Sequence, residues 1–226
     1  MSEKSLDHNC KICGGPTRPL FDRTLKITYD VCTNCNFTYK QPEYHISHEK
    51  EKSLYDHHQN TFENKGYVDM FIRFLKRSVD PFIVQGQALD FGSGPGPVLY
   101  EILKQRGFET AHYDPYYHPD ETVLKTSYDL ITTTEVFEHL SEVLSTLEIL
   151  LDCLKPGGYL ALMTSLRPED DDAFLNWWYR RDPTHIAFHT QASMAHIEKT
   201  YPITIVYTND KNIITFQKRK DNHENS

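Results

Sequence analysis

The sequence predicts an α/β fold in which a doubly wound sheet carries a small N-terminal cysteine module. A short apolar segment, 87–91, runs into a glycine-rich turn, and strand-like and helix-like segments then alternate. Two Cys-x-x-Cys pairs near the N-terminus predict a separate unit that is stabilised by a bound metal ion. The 226 residues suffice for one good core plus an appendage. We divide the chain into a cysteine module (1–45), a helical connector (46–80) and the main α/β domain (81–226).

The glycine-rich turn follows Asp90, at the end of the first strand of the main domain. Gly92, Gly94 and Gly96 lie at alternate positions, and Pro97 begins a helix. Glycine permits a sharp turn and lets a ligand lie directly against the backbone. A strand, a glycine turn and a helix predict a nucleotide-type cofactor site at the edge of the sheet. The acidic-x-Gly-x-Gly-x-Gly spacing differs from the Gly-x-Gly-x-x-Gly of dinucleotide sites.

The elements after this turn continue the alternation. A helix with one apolar face ends at Gly107, and a strand over 110–113 leads to Asp114. An acidic residue about 20 positions beyond the glycines can accept hydrogen bonds from ribose hydroxyls. The next strand covers 128–134 and ends at Thr134. An apolar helix, a Lys-Pro-Gly-Gly turn at 155–158 and a strand over 159–164 complete the pattern.

From residue 81 to 218, this order of motifs resembles the class I S-adenosylmethionine (SAM) methyltransferases, from their motif I to their late Leu-Lys-Pro-Gly-Gly turn. Together with the cysteine module and the Arg-Arg-Asp-Pro-Thr-His segment, it resembles a group of bacterial methyltransferase-like proteins. The resemblance implies a Rossmann-like class I methyltransferase sheet with SAM as methyl donor. The implied cofactor contacts are Asp90, Gly92, Gly94, Gly96, Asp114, Thr134 and Glu135.

Cys10, Cys13, Cys32 and Cys35 form the two Cys-x-x-Cys pairs. Their spacing is typical of a four-thiolate zinc site, because each pair forms a tight turn that aims two sulfurs at one point. Two disulfides are the alternative, and a cytosolic location argues against them because thiols stay reduced there. We therefore expect a zinc ribbon whose role is mainly structural. A further role in binding substrate or a partner remains open.

The connector is too rich in histidine, tyrosine and asparagine to resemble a plain linker. In class I enzymes the segment before the first strand often folds over the cofactor pocket. We therefore expect Tyr55, His58 and Asn60 to line the pocket. A solvated helix with a cap is the alternative interpretation.

Two polar clusters follow strands whose carboxyl ends should meet beside the methyl donor. One is Glu135-x-x-Glu138-His139, whose side chains share a face if the turn enters a helix. The other is the aromatic and basic segment 177–189. We expect these clusters to form the acceptor pocket, with His185 as general base and Asp182 as its orienting partner. The predicted pocket residues are Glu135, Glu138, His139, Trp178, Asp182 and His185.

The first cluster also resembles the ubiquinone-pathway O-methyltransferases and the small-RNA 3′-end 2′-O-methyltransferases. In those families two glutamates and a histidine, with a further histidine in the RNA enzymes, hold a divalent metal that orients the acceptor hydroxyl. By position the ligands are Glu135, Glu138 and His139, with His185 as the fourth. The RNA enzymes have a different sequence around the late histidine. Many class I enzymes with the same Glu-x-x-Glu-His pattern bind no metal, and there these residues only shape the pocket.

Charge and hydropathy argue against a nucleic-acid-binding protein and against a membrane-spanning one. The net charge of −8 and pI near 5.8 argue against a broad basic surface for nucleic acid. No apolar stretch has membrane-spanning length, and the N-terminus has no apolar signal core. We therefore expect a cytoplasmic SAM-dependent methyltransferase that modifies a small molecule at oxygen. The alternatives are an RNA methyltransferase that docks through its zinc ribbon, and a non-catalytic SAM-binding partner protein.

Overall fold

The computed structural model describes residues 9–57 and 60–220, which form ten strands and six α-helices within those ranges. The strands are β1 (Thr17–Asp22), β2 (Ile27–Cys32), β3 (Thr38–Lys40), β4 (Gln87–Phe91), β5 (Glu109–Tyr113), β6 (Tyr128–Thr134), β7 (Leu154–Met163), β8 (Ala187–Phe188), β9 (Ile203–Thr208) and β10 (Ile213–Lys218). The helices are α1 (His48–Tyr55), α2 (Lys65–Ser78), α3 (Val98–Gln105), α4 (Val143–Cys153), α5 (Asp171–Asn176) and α6 (Gln191–Thr200). Within these ranges, every helix is too short or too polar to span a lipid bilayer.

The larger sheet has six strands in the order β5-β4-β6-β7-β10-β9. The first four strands are parallel, and β10 runs antiparallel to both of its neighbours. Parallel neighbours need crossover connections, and α3 and α4 lie in the connections after β4 and β6. The predicted doubly wound α/β fold is confirmed. One detail differs: β7 already begins at Leu154 and includes the Lys-Pro-Gly-Gly residues, where its register against β6 shifts.

The central strands alternate their side chains between two apolar clusters. Ala88 and Leu130 pack with side chains of α2 and α3 on one face of the sheet. Their chain neighbours Leu89 and Ile131 pack with α4 and α6 on the other face. Both faces are therefore covered, as a parallel sheet requires.

The smaller sheet contains the cysteine module and one strand from far along the chain. Strands β1, β2 and β3 form an antiparallel meander, and the two-residue strand β8 pairs with the free edge of β3. Cys10 and Phe37 belong to the same apolar cluster as α4 and α6. The module is thus packed against one face of the large sheet and hydrogen bonded to the segment that contains Asp182 and His185.

Candidate functional site

A cavity of about 660 Å³ lies at the carboxyl ends of β4, β5 and β6. Its walls are the glycine turn, the residues after β5 and β6, helix α1 and part of the segment 178–185. Tyr55 and Asn60 of the connector also line it, whereas His58 lies outside the described residues. The predicted cofactor residues that line the cavity are Asp90, Gly92, Gly94, Asp114, Thr134 and Glu135.

Two glycines of the turn are required by close contacts. Gly92 has a φ of +79°, which favours glycine, and a Cβ there would overlap the side chain of Val136. A Cβ on Gly96 would overlap the carbonyl oxygen of Asn60. The connector therefore passes directly over the glycine turn, and larger residues at either position would displace it or the turn.

Two carboxylates, Asp114 and Asp90, lie next to the glycine turn. Asp114 Oδ2 accepts a hydrogen bond from the amide of Gly94 at 2.9 Å, and its Oδ1 accepts from the amides of Tyr116 and Tyr117 at 2.9 and 3.1 Å. Asp114 thus fixes the glycine turn relative to the loop after β5. Asp90 is buried beneath the turn, and this burial raises its pKa to about 7.

Helix α1 and Asp56 after it are hydrogen bonded to the loop after β5 through the hydroxyls of Tyr116 and Tyr117, which the sequence did not indicate as site residues. Glu51 accepts hydrogen bonds from the hydroxyls of Tyr55 at 2.9 Å and Tyr116 at 2.6 Å. The hydroxyl of Tyr117 donates to Asp56 at 2.6 Å. A Tyr-Tyr pair soon after the acidic residue that ends β5 is the sequence signal that identifies this contact.

Two glutamates at the acceptor end share one tyrosine. The hydroxyl of Tyr179 lies 2.5 Å from Glu138 Oε1 and 3.1 Å from Glu135 Oε2. Thr164 donates to the other oxygen of Glu138 at 2.8 Å. Burial raises the pKa of both carboxyl groups, and the neighbouring Glu138 raises that of Glu135 further. The two acids therefore favour sharing a proton over both being ionised.

The backbone that presents these glutamates is not a regular helix. Glu135 has a φ of +53°, and a single 3₁₀ turn covers Phe137–His139. The turn therefore does not enter an α-helix, and the condition for a shared helical face is not met. The side chains converge because the chain reverses sharply after β6, where the amide of Glu135 still donates to Met163 of β7 at 2.8 Å. A left-handed glutamate is strained, and such residues cluster at functional sites.

Backbone carbonyls fix the tautomers of two nearby histidines. His185 Nδ1 lies 2.8 Å from the carbonyl oxygen of Tyr179, and His139 Nδ1 lies 3.1 Å from that of Thr184. The hydroxyl of Tyr55 also lies 3.0 Å from His139 Nδ1, but its hydrogen is donated to Glu51. A carbonyl only accepts, so each Nδ1 carries the hydrogen and each Nε2 keeps its lone pair. Burial lowers the pKa of both rings, and that of His185 falls to about 4. Both imidazoles are therefore neutral near pH 7.

Glu138, His139 and His185 form a set that can hold a metal ion. Their ligand atoms all lie within 4.8 Å of one another. A histidine that donates Nδ1–H to a carbonyl and offers Nε2 is the usual arrangement of a metal ligand. The residues present therefore fit a divalent cation. Glu135 stands outside this tight set and contacts Tyr179 instead.

The remaining residues of the predicted acceptor pocket lie at its edge. Trp178 is 70% exposed and lines the cavity mouth together with Asp182. Asp182 Oδ1 accepts from the amide and hydroxyl of Thr184, whereas its Oδ2 is 3.9 Å from His185 Nε2. That distance is too long for a hydrogen bond, so the carbonyl of Tyr179 orients His185 in place of the expected Asp182.

The four N-terminal cysteines converge on one point. Cys10 Sγ lies 3.7 Å from Cys35 Sγ, and Cys13 Sγ lies 3.4 Å from Cys32 Sγ. Backbone amides within the two Cys-x-x-Cys turns donate to sulfur at 3.3 to 3.5 Å. In a tetrahedron with Zn–S bonds of about 2.3 Å, neighbouring sulfurs lie about 3.8 Å apart. None of the chain's five cysteines, all within the described ranges, forms a disulfide. The donor set therefore fits zinc.

Comparison with known proteins adds the following findings. A family model described as a methyltransferase domain matches residues 55–206, more than half of the chain. No curated protein matches the sequence. Magnesium protoporphyrin IX methyltransferase from Synechocystis PCC 6803, solved with bound S-adenosylhomocysteine (SAH), is 16% identical, with 78% of this chain and 97% of that chain covered and a TM-score of 0.52. A 1,6-didemethyltoxoflavin N1-methyltransferase from Burkholderia thailandensis is 11% identical, with a TM-score of 0.50. The match covers 90% of this chain and 100% of that chain. At these identities the likeness concerns the fold.

Proposed function

The chain belongs to the methyltransferase-domain family, and on this premise we propose that it transfers the methyl group of SAM to an oxygen atom of a small-molecule acceptor. One observation carries the proposal. The glycine turn with Asp114 and the polar side chains His139 and His185 line the same cavity. A donor held at the turn and an acceptor held at the polar end would therefore share one enclosed space.

The donor side is assigned to the residues around the glycine turn. SAM would lie against the backbone of Gly92 and Gly94, with its ribose toward Asp114. Gly96, also predicted as a cofactor contact, does not line the cavity, because Asn60 lies against it. Thr134 and Glu135, at the end of β6, would border its methyl-bearing end, with Asp90 beneath the turn. The solved relative from Synechocystis holds SAH in the same fold, which supports SAM as the donor.

The acceptor side is assigned to the residues that follow β6 and to the segment 178–185. Transfer from a sulfonium is an in-line displacement, so the protein mainly positions the acceptor and removes its proton. The Nε2 lone pair of His185 is available for this proton, because Nδ1–H is held by the carbonyl of Tyr179. With a pKa of about 4, His185 is a weak base that suits an acceptor hydroxyl of low pKa.

A divalent cation held by Glu138, His139 and His185 is the alternative route, because it would acidify the acceptor hydroxyl itself. Nε2 of His185 would then be a metal ligand and not the base. The buried carboxyl of Glu138 and the two oriented imidazoles support this assignment. We assign a zinc ion to Cys10, Cys13, Cys32 and Cys35, separate from this site. By their names, the two solved relatives are methyltransferases of small molecules, which supports a small-molecule acceptor.

Transfer of radiolabel from methyl-labelled SAM to a fractionated metabolite extract tests the proposal. We expect label in a small-molecule fraction. His185→Ala should lower this turnover by roughly 10²–10⁴ while SAM affinity stays within a few-fold. Glu138→Gln should lower turnover similarly, and added divalent cation should not restore it because a ligand charge is lost. His196→Ala, on α6 and away from the cavity, is the matched control.

Two outcomes would contradict the assignment. Label recovered only in RNA would exclude a small-molecule acceptor. Unaltered turnover in both His185→Ala and Glu138→Gln would remove these side chains from the acceptor site.

A further inference from the structure

We propose that the cysteine module is a positioning element for methyl transfer, resting on the function proposed above. It holds the segment 178–190, which contains Tyr179 and His185, through buried polar contacts. The positioning residues are Lys40, Asp22 and Arg180, the last two of which form an ion pair. The segment 178–190 is called the acceptor segment below.

The first contact is an ion pair at the start of the acceptor segment. Arg180 Nη1 lies 2.5 Å from Asp22 Oδ2, and both side chains are only 2% exposed. The other oxygen of Asp22 accepts from the amides of Thr24 and Leu25, so the carboxylate is fixed in the β1–β2 turn. Arg180 directly follows Tyr179, whose hydroxyl contacts Glu138 and Glu135. A buried charge pair tolerates little displacement, because separation leaves each charge uncompensated.

The second contact lies on either side of His185. Lys40 is 3% exposed, and its Nζ donates to the carbonyl of Pro183 at 2.9 Å. The backbone amide of Lys40 donates to the carbonyl of Ile186 at 2.8 Å. One residue at the end of β3 therefore binds the chain two residues before and one residue after His185.

The third contact joins the acceptor segment to the glutamate turn and to a cysteine turn. The amide of Ile186 donates to the carbonyl of Glu138 at 2.8 Å, so the segment lies between the module and the residues after β6. At its end, the hydroxyl of Thr190 donates to the carbonyl of Cys35 at 2.6 Å. The four-cysteine site is thus connected to the acceptor segment through a direct hydrogen bond.

The module does not need these polar contacts to stay attached to the main domain. Apolar packing of the module on the α4 face already provides stability. Buried polar contacts also join the module to Arg167, after β7, which donates to Asn36 and Thr38. The contacts of Lys40 and Asp22 are the ones that bind residues next to Tyr179 and His185. Catalysis is sensitive to displacements of about 1 Å in positioning groups. A module that holds the chain on both sides of His185 therefore controls acceptor geometry.

The test uses Lys40→Met, which removes the ammonium but keeps the length and apolar stem of the side chain. Arg18→Gln is the matched control, because Arg18 also joins the module to the main domain, through a 2.7 Å ion pair with Asp171 of α5, outside the acceptor segment. Amide hydrogen exchange with SAH bound, zinc content, and KM and kcat for the labelled small-molecule fraction are measured on the full chain.

In Lys40→Met we expect exchange of the 185–188 amides to rise at least tenfold, with α3 unchanged. The acceptor KM should rise or kcat should fall at least tenfold, while zinc content and SAH affinity stay within twofold. Asp22→Asn should give the same pattern wherever it folds, and Arg18→Gln should match the wild type.

Unchanged exchange and turnover in Lys40→Met would overturn the proposal. Loss of zinc in step with loss of activity would also overturn it, because the contact would then only hold the module together. If the wild type transfers no methyl group to any fraction, the proposed function fails, while the exchange data still show whether the module holds the acceptor segment.

Discussion

Removal of one hydroxyl, in Tyr179→Phe, should weaken both the fold and the cation site. The phenol is 2% exposed and lies 2.5 Å from Glu138 and 3.1 Å from Glu135. A hydrogen bond to a charged group contributes about 1.5–3 kcal/mol, and the longer contact contributes less. We therefore expect the free energy of unfolding to fall by about 2–4 kcal/mol. The hydroxyl also lowers the pKa of both carboxyls, so its loss raises these pKa values and disfavours the ionised ligand.

Urea denaturation and calorimetric titration with Mn²⁺ measure these two effects. Cation affinity should fall roughly 10–100-fold in Tyr179→Phe, as for other groups that support a metal ligand, while SAH affinity should stay within a few-fold. Tyr201→Phe is the control, because its hydroxyl donates to Glu148 at 2.9 Å in an exposed pair. That variant should lose less than about 1 kcal/mol. Equal losses of stability in the two variants would refute the buried-network reasoning.

Three further predictions concern other parts of the chain. His189 is fully buried, and burial lowers its pKa to about 4. The unfolded state therefore binds more protons between pH 6.5 and 4, and the free energy of unfolding should drop by about 3 kcal/mol as pH falls through that window. Urea titrations at pH 7.5 and 4 should show a smaller drop in His189→Leu, and an unchanged drop would contradict this origin. Asp114→Ala should weaken SAH binding by about 1.5–3 kcal/mol in calorimetry. The control is Asp120→Ala, because Asp120 is exposed and caps a 3₁₀ turn. Equal SAH affinity in the two variants would refute the assignment of Asp114 to the cofactor site. Metal analysis should find one zinc in the wild type and in Cys153→Ser and none in Cys10→Ser, and retained zinc in Cys10→Ser would exclude the four-thiolate site.

Local patterns predicted much of the fold. The strand at 87–91 and the strand at 128–134 match β4 and β6, because apolar runs bounded by turn residues specify short buried strands. The Cys-x-x-Cys spacing predicted the sulfur cluster for a similar reason, since each pair acts within four residues. These signals are contained in short windows of sequence, and tertiary packing did not override them.

Contacts between distant segments were not predictable in this way. Strand β8 has two residues and forms only because β3 offers it an edge, and no two-residue pattern predicts that. The ion pair of Asp22 with Arg180 joins residues far apart in the chain. The left-handed Glu135 has no glycine or turn signal of its own, so the sequence did not predict the sharp reversal after β6. Tyr179 lay in the segment expected at the acceptor site, but only the structure shows that it bonds the two glutamates.

Calorimetric titration with SAH tests most directly the central claim that the cavity at the glycine turn is a SAM site. The wild type should bind with micromolar affinity or better, about −8 kcal/mol. Gly92→Val should lose this binding, because a side chain there overlaps Val136 and the φ of +79° disfavours it. Wild-type protein that releases no binding heat at millimolar SAH would contradict the account.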